Sequence, residues 1–147
     1  MIKDLVINLS KEAKRASYQL ATLNSDAKNK ALYGIAQALW EHKSYIMAEN
    51  ALDMKISQEK NLNQALQDRL LINEPRLNAM ITAINNIISM PDPVGKLITS
   101  KVLANGIHLQ KVRVPLGVVL VIFESRPNVI TDVAALCLKS GNAAILR

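Results

Sequence analysis

The residues best equipped for chemistry lie in one short polar run, Glu124-Ser125-Arg126-Pro127-Asn128, and in Arg147 further along the chain. Arg126 and Arg147 carry planar guanidinium groups that stay charged and bind oxyanions at two points. Ser125 and Asn128 add hydrogen bonds, and Glu124 is an acceptor suited to hydroxyls. This set suits a phosphate-bearing ligand. The plainer reading is a polar turn whose Glu124 and Arg126 pair with each other in solvent.

The flanking segments decide where such a set would sit. Leu116 to Phe123 is a β-branched apolar run broken only by Gly117, which predicts a strand buried on both faces over about Val118–Phe123. Val129 to Lys139 resumes as a helix with Val129, Val133, Leu136 and Cys137 stacked on one face. Ser140-Gly141-Asn142 stops it, because glycine tolerates the left-handed conformation a helix end often needs. Ala143 to Leu146 is a second short apolar strand. Strand, helix and strand make one βαβ unit, with the two strands parallel and adjacent. The turn after the first strand then meets the positive end of a helix dipole, and Arg147 falls at the same carboxyl edge, where open α/β sheets bind ligands. The glycine-rich dinucleotide fingerprint is absent.

Composition narrows the classes. The 147 residues are half hydrophobic and only 3 % aromatic, so one aliphatic core is expected. The net charge of +6 comes from scattered helix-face lysines without interleaved aromatics, which disfavours nucleic acid as a partner. No apolar stretch reaches the length of a membrane span and no signal-peptide core opens the chain, so a cytoplasmic protein is the default. Cys137, the single cysteine, lies mid-helix with no neighbouring base and reads as a small buried hydrophobe. His42 has no second ligand at metal spacing, so no metal site is expected.

The first half of the chain reads as helices. Ile2, Leu5, Leu9, Ala13, Ala16, Leu20 and Leu23 form an amphipathic repeat. Asn24 or Ser25 can cap a second helix running to about Asn50, with Gly34 inside it excused by close packing. A continued or frayed segment over Asn50–Lys60, a short helix over Asn63–Leu71, and a helix opened by Asn73-Glu74-Pro75 follow. Pro91-Asp92-Pro93 ends the last of these. Two β-prone runs, Leu97–Leu103 and Ile107–Val114, flank Ala104-Asn105-Gly106 and predict a hairpin, with room for a bulge and one wet face. The fold class is α/β: a helical N-terminal half, a β-hairpin, then a βαβ unit.

Several phrases extend beyond what spacing says. ESRPN at 124–128 and LKSGNA at 138–143, with NALDM at 50–54, ALQDRL at 65–70 and MPDPVGK at 90–96, resemble γ-glutamyl phosphate reductase, a family of the aldehyde dehydrogenase superfamily. The resemblance runs over essentially the whole chain. It implies that the βαβ unit is the first of an incomplete Rossmann-like cofactor domain. The implied reaction is NADPH-dependent reduction of L-glutamyl 5-phosphate to the semialdehyde in proline biosynthesis, with a homo-oligomer left open. Phe123, Glu124, Ser125, Arg126 and Asn128 match the turn lining the nicotinamide-cofactor cleft, and Arg147 matches a basic strand-end position near the adenosine ribose, suited to a 2′-phosphate. Lys139 and Asn142 are read as structural.

Cys137 does not match the family's nucleophile, which lies in a later domain. Residues 1–147 are therefore expected to be the N-terminal part of the NADP-binding domain, a fragment lacking the catalytic cysteine domain. The helix Val129–Lys139, apolar nearly all round, would need cover on two sides. Two rivals stand: a non-catalytic helical module that pairs through its exposed edge, and a fragment of an NAD-dependent aldehyde dehydrogenase, for which a Pro-Trp-Asn turn would be usual in place of ESRPN.

Overall fold

The computed structural model describes residues 2–124 and 126–147. Five helices come first: α1 (Ile2–Ala21), α2 (Ser25–Glu41), α3 (Lys43–Glu59), α4 (Gln64–Leu70) and α5 (Glu74–Ser89). The hairpin β1 (Leu97–Val102) and β2 (His108–Val112) follows, then β3 (Val118–Val121), α6 (Pro127–Lys139) and β4 (Ala143–Leu146). This is the expected α/β order.

Local side-chain chemistry starts the helices. The Asn24, Asn63 and Asn73 side chains accept from the amides of Ala27, Leu66 and Arg76 at 2.9, 2.9 and 3.0 Å, each satisfying a donor left free at a helix start. The second helix departs from expectation by ending at Glu41. His42 takes φ −96° and ψ 14°, and the chain turns into α3, which runs on to Glu59. Its amide still donates to Ala38 O and its carbonyl still accepts from Ile46, both at 3.0 Å. The ladder bends without breaking, so the apolar repeat carries no mark of the kink. Gly34 is also unlike its expectation: a Cβ there would meet nothing within 4 Å.

α5 packs on α2 and on α6, and the core lies between these three helices. Leu32, Ala36, Ile84, Ile87, Ile88 and Ala135 are buried there, with Ile35, Leu39, Ile81 and Leu138 against them. Each fully buried aliphatic side chain contributes about 1.5–3 kcal/mol. A buried ion pair, Lys28 Nζ to Asp92 Oδ2 at 2.8 Å, ties α2 to the segment that leaves α5.

β3 and β4 pair in parallel, Val118 with Ala143 through Val121 with Leu146, and α6 connects them. The expected βαβ unit is therefore present. The expectation of a strand buried on both faces is corrected. The strand is shorter, and Leu120 and Ile122 on one face are 58 % and 74 % exposed, because α1 lies against this two-stranded sheet and no described element covers that face. The hairpin has its bulge. Gly106, at φ 82°, donates to Leu103 O while Leu103 N donates to Ile107 O, the closure of a three-residue loop with a left-handed third residue. Both faces of the ribbon are exposed, where one wet face was expected, since neither strand packs on another element.

Candidate functional site

The parallel pairing carries the site residues to one edge. Beyond the strands themselves, Arg147 N donates to Val121 O at 3.0 Å and Phe123 N donates to Arg147 O at 2.8 Å. Phe123 and Arg147 are thus backbone neighbours at the carboxyl end of the sheet, as predicted. Glu124 follows in an exposed bend, and Ser125 lies outside the described residues. Among the described residues no hydrogen bond or ion pair holds the side chains of Glu124, Arg126 or Arg147, so the plain reading of a Glu124–Arg126 pair does not describe this turn.

α6 begins unlike α2, α4 and α5. Arg126 is its N-cap at φ −133° and ψ 86°, with no side-chain acceptor on the first-turn amides, and Pro127 opens the first turn. The unmet donors and the dipole leave a positive helix end at Arg126, whose guanidinium has no partner among the described residues, a donor set that fits phosphate oxygens. Asn128 donates its side-chain amide to Asp132 Oδ2 at 3.1 Å, one turn on.

The C-terminal end of α6 is built for rigidity. Gly141 takes φ 73°, and a Cβ there would meet Pro115 Cγ at 3.0 Å and Leu20 O at 3.5 Å. Asn142 Oδ1 accepts from Gly117 N at 2.8 Å, linking the turn to the start of β3. Lys139 is buried and donates to Asn29 Oδ1 at 2.7 Å and Ile88 O at 2.9 Å. Both residues are structural, although Lys139 does more than complement the helix dipole: it bolts α6 to α2 and α5. Of the expected face, Val129 and Val133 are half-buried and Cys137 is buried, whereas Leu136 is 53 % exposed and Lys139 points inward. Cys137 is buried as expected, and burial pushes its thiol above the ordinary value, which keeps it protonated and unreactive.

The structure divides the predicted turn between two places. Phe123 and Arg147 belong to the sheet edge. Arg126, Pro127 and Asn128 line a cleft of about 440 Å³ whose other wall is the end of α4 and one side of α5, including Asp68, Arg69, Arg76 and the buried Met80. Sequence reasoning missed this second wall. Asp68 and Arg69 sit inside ALQDRL and carry no local sign of facing α6. Arg76 spans the α4–α5 junction: Nη1 donates to the carbonyls of Asp68 and Leu71, and Nη2 to the Asp68 carboxylate at 2.7 Å. Asn50, buried in α3, secures the same junction, donating to Leu70 O at 2.9 Å and accepting from Ile72 N at 2.6 Å.

No protein-family model matches the chain. Curated relatives do. A γ-glutamyl phosphate reductase of Vibrio vulnificus is 53 % identical over 142 residues, which is 97 % of this chain and 34 % of that protein. One from Vibrio cholerae is 53 % identical over 144 residues. The crystal structure of γ-glutamyl phosphate reductase from Thermotoga maritima superposes with a TM-score of 0.92 at 38 % identity, over 96 % of this chain and 34 % of that one. In sequence and in fold, this chain matches the N-terminal portion of γ-glutamyl phosphate reductase.

The Saccharomyces cerevisiae γ-glutamyl phosphate reductase gives the same answer, with a TM-score of 0.91 at 38 % identity over 95 % of this chain and 36 % of that one. The chain spans about a third of the length of the curated relatives it matches. The resemblance carried by ESRPN and LKSGNA is borne out, and with it the reading of an incomplete α/β unit. No helix among the described residues is long and apolar enough to cross a membrane.

Proposed function

We propose that residues 1–147 are the N-terminal part of the NADP-binding domain of a cytoplasmic γ-glutamyl phosphate reductase. The reaction is reduction of L-glutamyl 5-phosphate to L-glutamate 5-semialdehyde and phosphate by NADPH in proline biosynthesis. The observation that carries this reading is the parallel β3–β4 pair. It brings Phe123, next to Glu124, and Arg147 to one edge in a chain half identical to reductases of that name.

NADPH, when bound, supplies the hydride that replaces phosphate at the acyl carbon. The residues of this chain bind and orient. Arg147, whose side chain has no partner among the described residues, reads the 2′-phosphate in two-point fashion. Glu124 accepts from ribose hydroxyls, and Phe123 is held by its backbone bond to Arg147 beside them. Arg126 lines the cleft and, with the positive end of α6, serves the substrate's phosphate. The cysteine that attacks the acyl carbon is not among these residues, since Cys137 is buried, protonated and without a base.

Fluorescence titration of the chain with NADPH and with NADH tests the reading. A charge-assisted contact to the extra phosphate contributes about 1.5–3 kcal/mol, roughly ten- to a hundredfold in preference for NADPH, and Arg147→Ala should remove it. A preference that survives in the folded variant refutes the role of Arg147. A chain that answers neither nucleotide supports the rival of a non-catalytic module.

A further inference from the structure

The cleft between the α4–α5 junction and the start of α6 has a charge arrangement that cofactor binding leaves unused. Three arginines and two aspartates line it. Arg76 and Asp68 neutralise each other, and Arg76 spends its other donor on the carbonyls that end α4. Asp132 accepts from Asn128 through Oδ2 only. Arg69 is left with no hydrogen bond or ion pair among the described residues, yet it lines the cleft opposite Arg126.

The segment that presents Arg69 is held by side chains from α3 and α5. Arg76 and the buried Asn50 together make five hydrogen bonds to the segment 68–72. A helix of seven residues is marginal on its own, so these bonds hold α4 in place and with it the backbone that carries Arg69. A guanidinium carried on a held backbone and left without a partner among the described residues can take a planar carboxylate at two points.

We propose that this cleft binds the amino-acid end of an acidic amino-acid substrate, with Arg69 reading the α-carboxylate. Resting on the reductase reading, the assignment orients the substrate. Its phosphate lies at Arg126 and the start of α6, and its α-carboxylate lies across the cleft at Arg69. The free oxygen of Asp132 is available to the α-ammonium. Arg69 is then a specificity-determining residue that touches no cofactor.

Heteronuclear NMR of the isotope-labelled chain tests this with L-glutamate, whose side-chain carboxylate stands in for the acyl phosphate. L-Glutamate should shift the Arg69 Nε–H and the Asn128 and Asp132 amides. Arg69→Ala should weaken that binding at least about tenfold, with partial recovery in Arg69→Lys. Glutarate, which lacks the ammonium, should bind more weakly. Because Arg69 is exposed and unbonded, the variants keep the fold, which the same spectra verify. L-Glutamate that leaves these signals unmoved, or moves them equally in Arg69→Ala, overturns the proposal. NADPH added separately should instead shift Phe123 and Arg147. Shifts with L-glutamate but none with NADPH sink the reductase reading and leave the cleft as an amino-acid site; the reverse result sinks the cleft alone.

Discussion

Asp92→Ala should destabilise the chain more than Lys28→Met, although the two side chains share one ion pair. Lys28 is fully buried, and its ammonium has Asp92 Oδ2, at 2.8 Å, as its hydrogen-bond partner. Deleting the carboxylate strands that charge out of water, which costs about 3–5 kcal/mol. Deleting the lysine is milder. Asp92 keeps its bonds from Val94 N at 2.9 Å and Ser25 Oγ at 3.1 Å, and its side chain stays 13 % exposed. Two remaining donors and some water bring the cost of Lys28→Met to about 1–2 kcal/mol. The double variant should be more stable than Asp92→Ala alone, since no stranded charge remains. Urea unfolding followed by far-ultraviolet circular dichroism measures all three. Acid sharpens the test. Burial pushes the Asp92 carboxyl up, but bonds from Lys28, the Val94 amide and Ser25, with the Lys28 charge, outweigh it and hold the carboxyl below its ordinary 3.8. A depressed carboxyl stabilises fully above its unfolded value and loses that contribution as pH falls through the folded one. The gap between wild type and Asp92→Ala should therefore close in strong acid. Equal costs for the two single variants at neutral pH would refute this account.

Gly141→Ala should cost about 2–3 kcal/mol, combining a left-handed φ of 73° with a Cβ 3.0 Å from Pro115 Cγ, whereas Gly106→Ala, at φ 82° with open space, should cost only about 1–2. Denaturation midpoints of the two variants check the difference. Cys137 should react far more slowly with a thiol reagent in the native chain than in urea, because it is buried and its thiol is pushed up. Cys137→Ala should lose about 1–2 kcal/mol of stability and leave nucleotide binding unchanged in the fluorescence titration.

Features decided within a few residues were legible in the sequence. Asn24 and Asn73 each cap a helix by accepting from the amide three residues ahead, Pro91 and Pro93 stop one, and Asn105-Gly106 turns the hairpin; in each case the decisive hydrogen bond or φ is local. The strand–helix–strand order was legible for the same reason, and the parallel pairing then followed from topology, which brought Phe123 and Arg147 together. Tertiary structure decided what local rules leave free. The bend at His42 preserves its hydrogen bonds, so no residue announces it. The burial of Lys139 at the end of α6 turned on its finding Asn29 and Ile88 O from two other helices, a choice no periodicity of α6 encodes. The same holds for the cleft. Arg126 and Asn128 face Arg69 only because α5 packs against α6, and a wall made of two distant segments is set by that packing rather than by either segment.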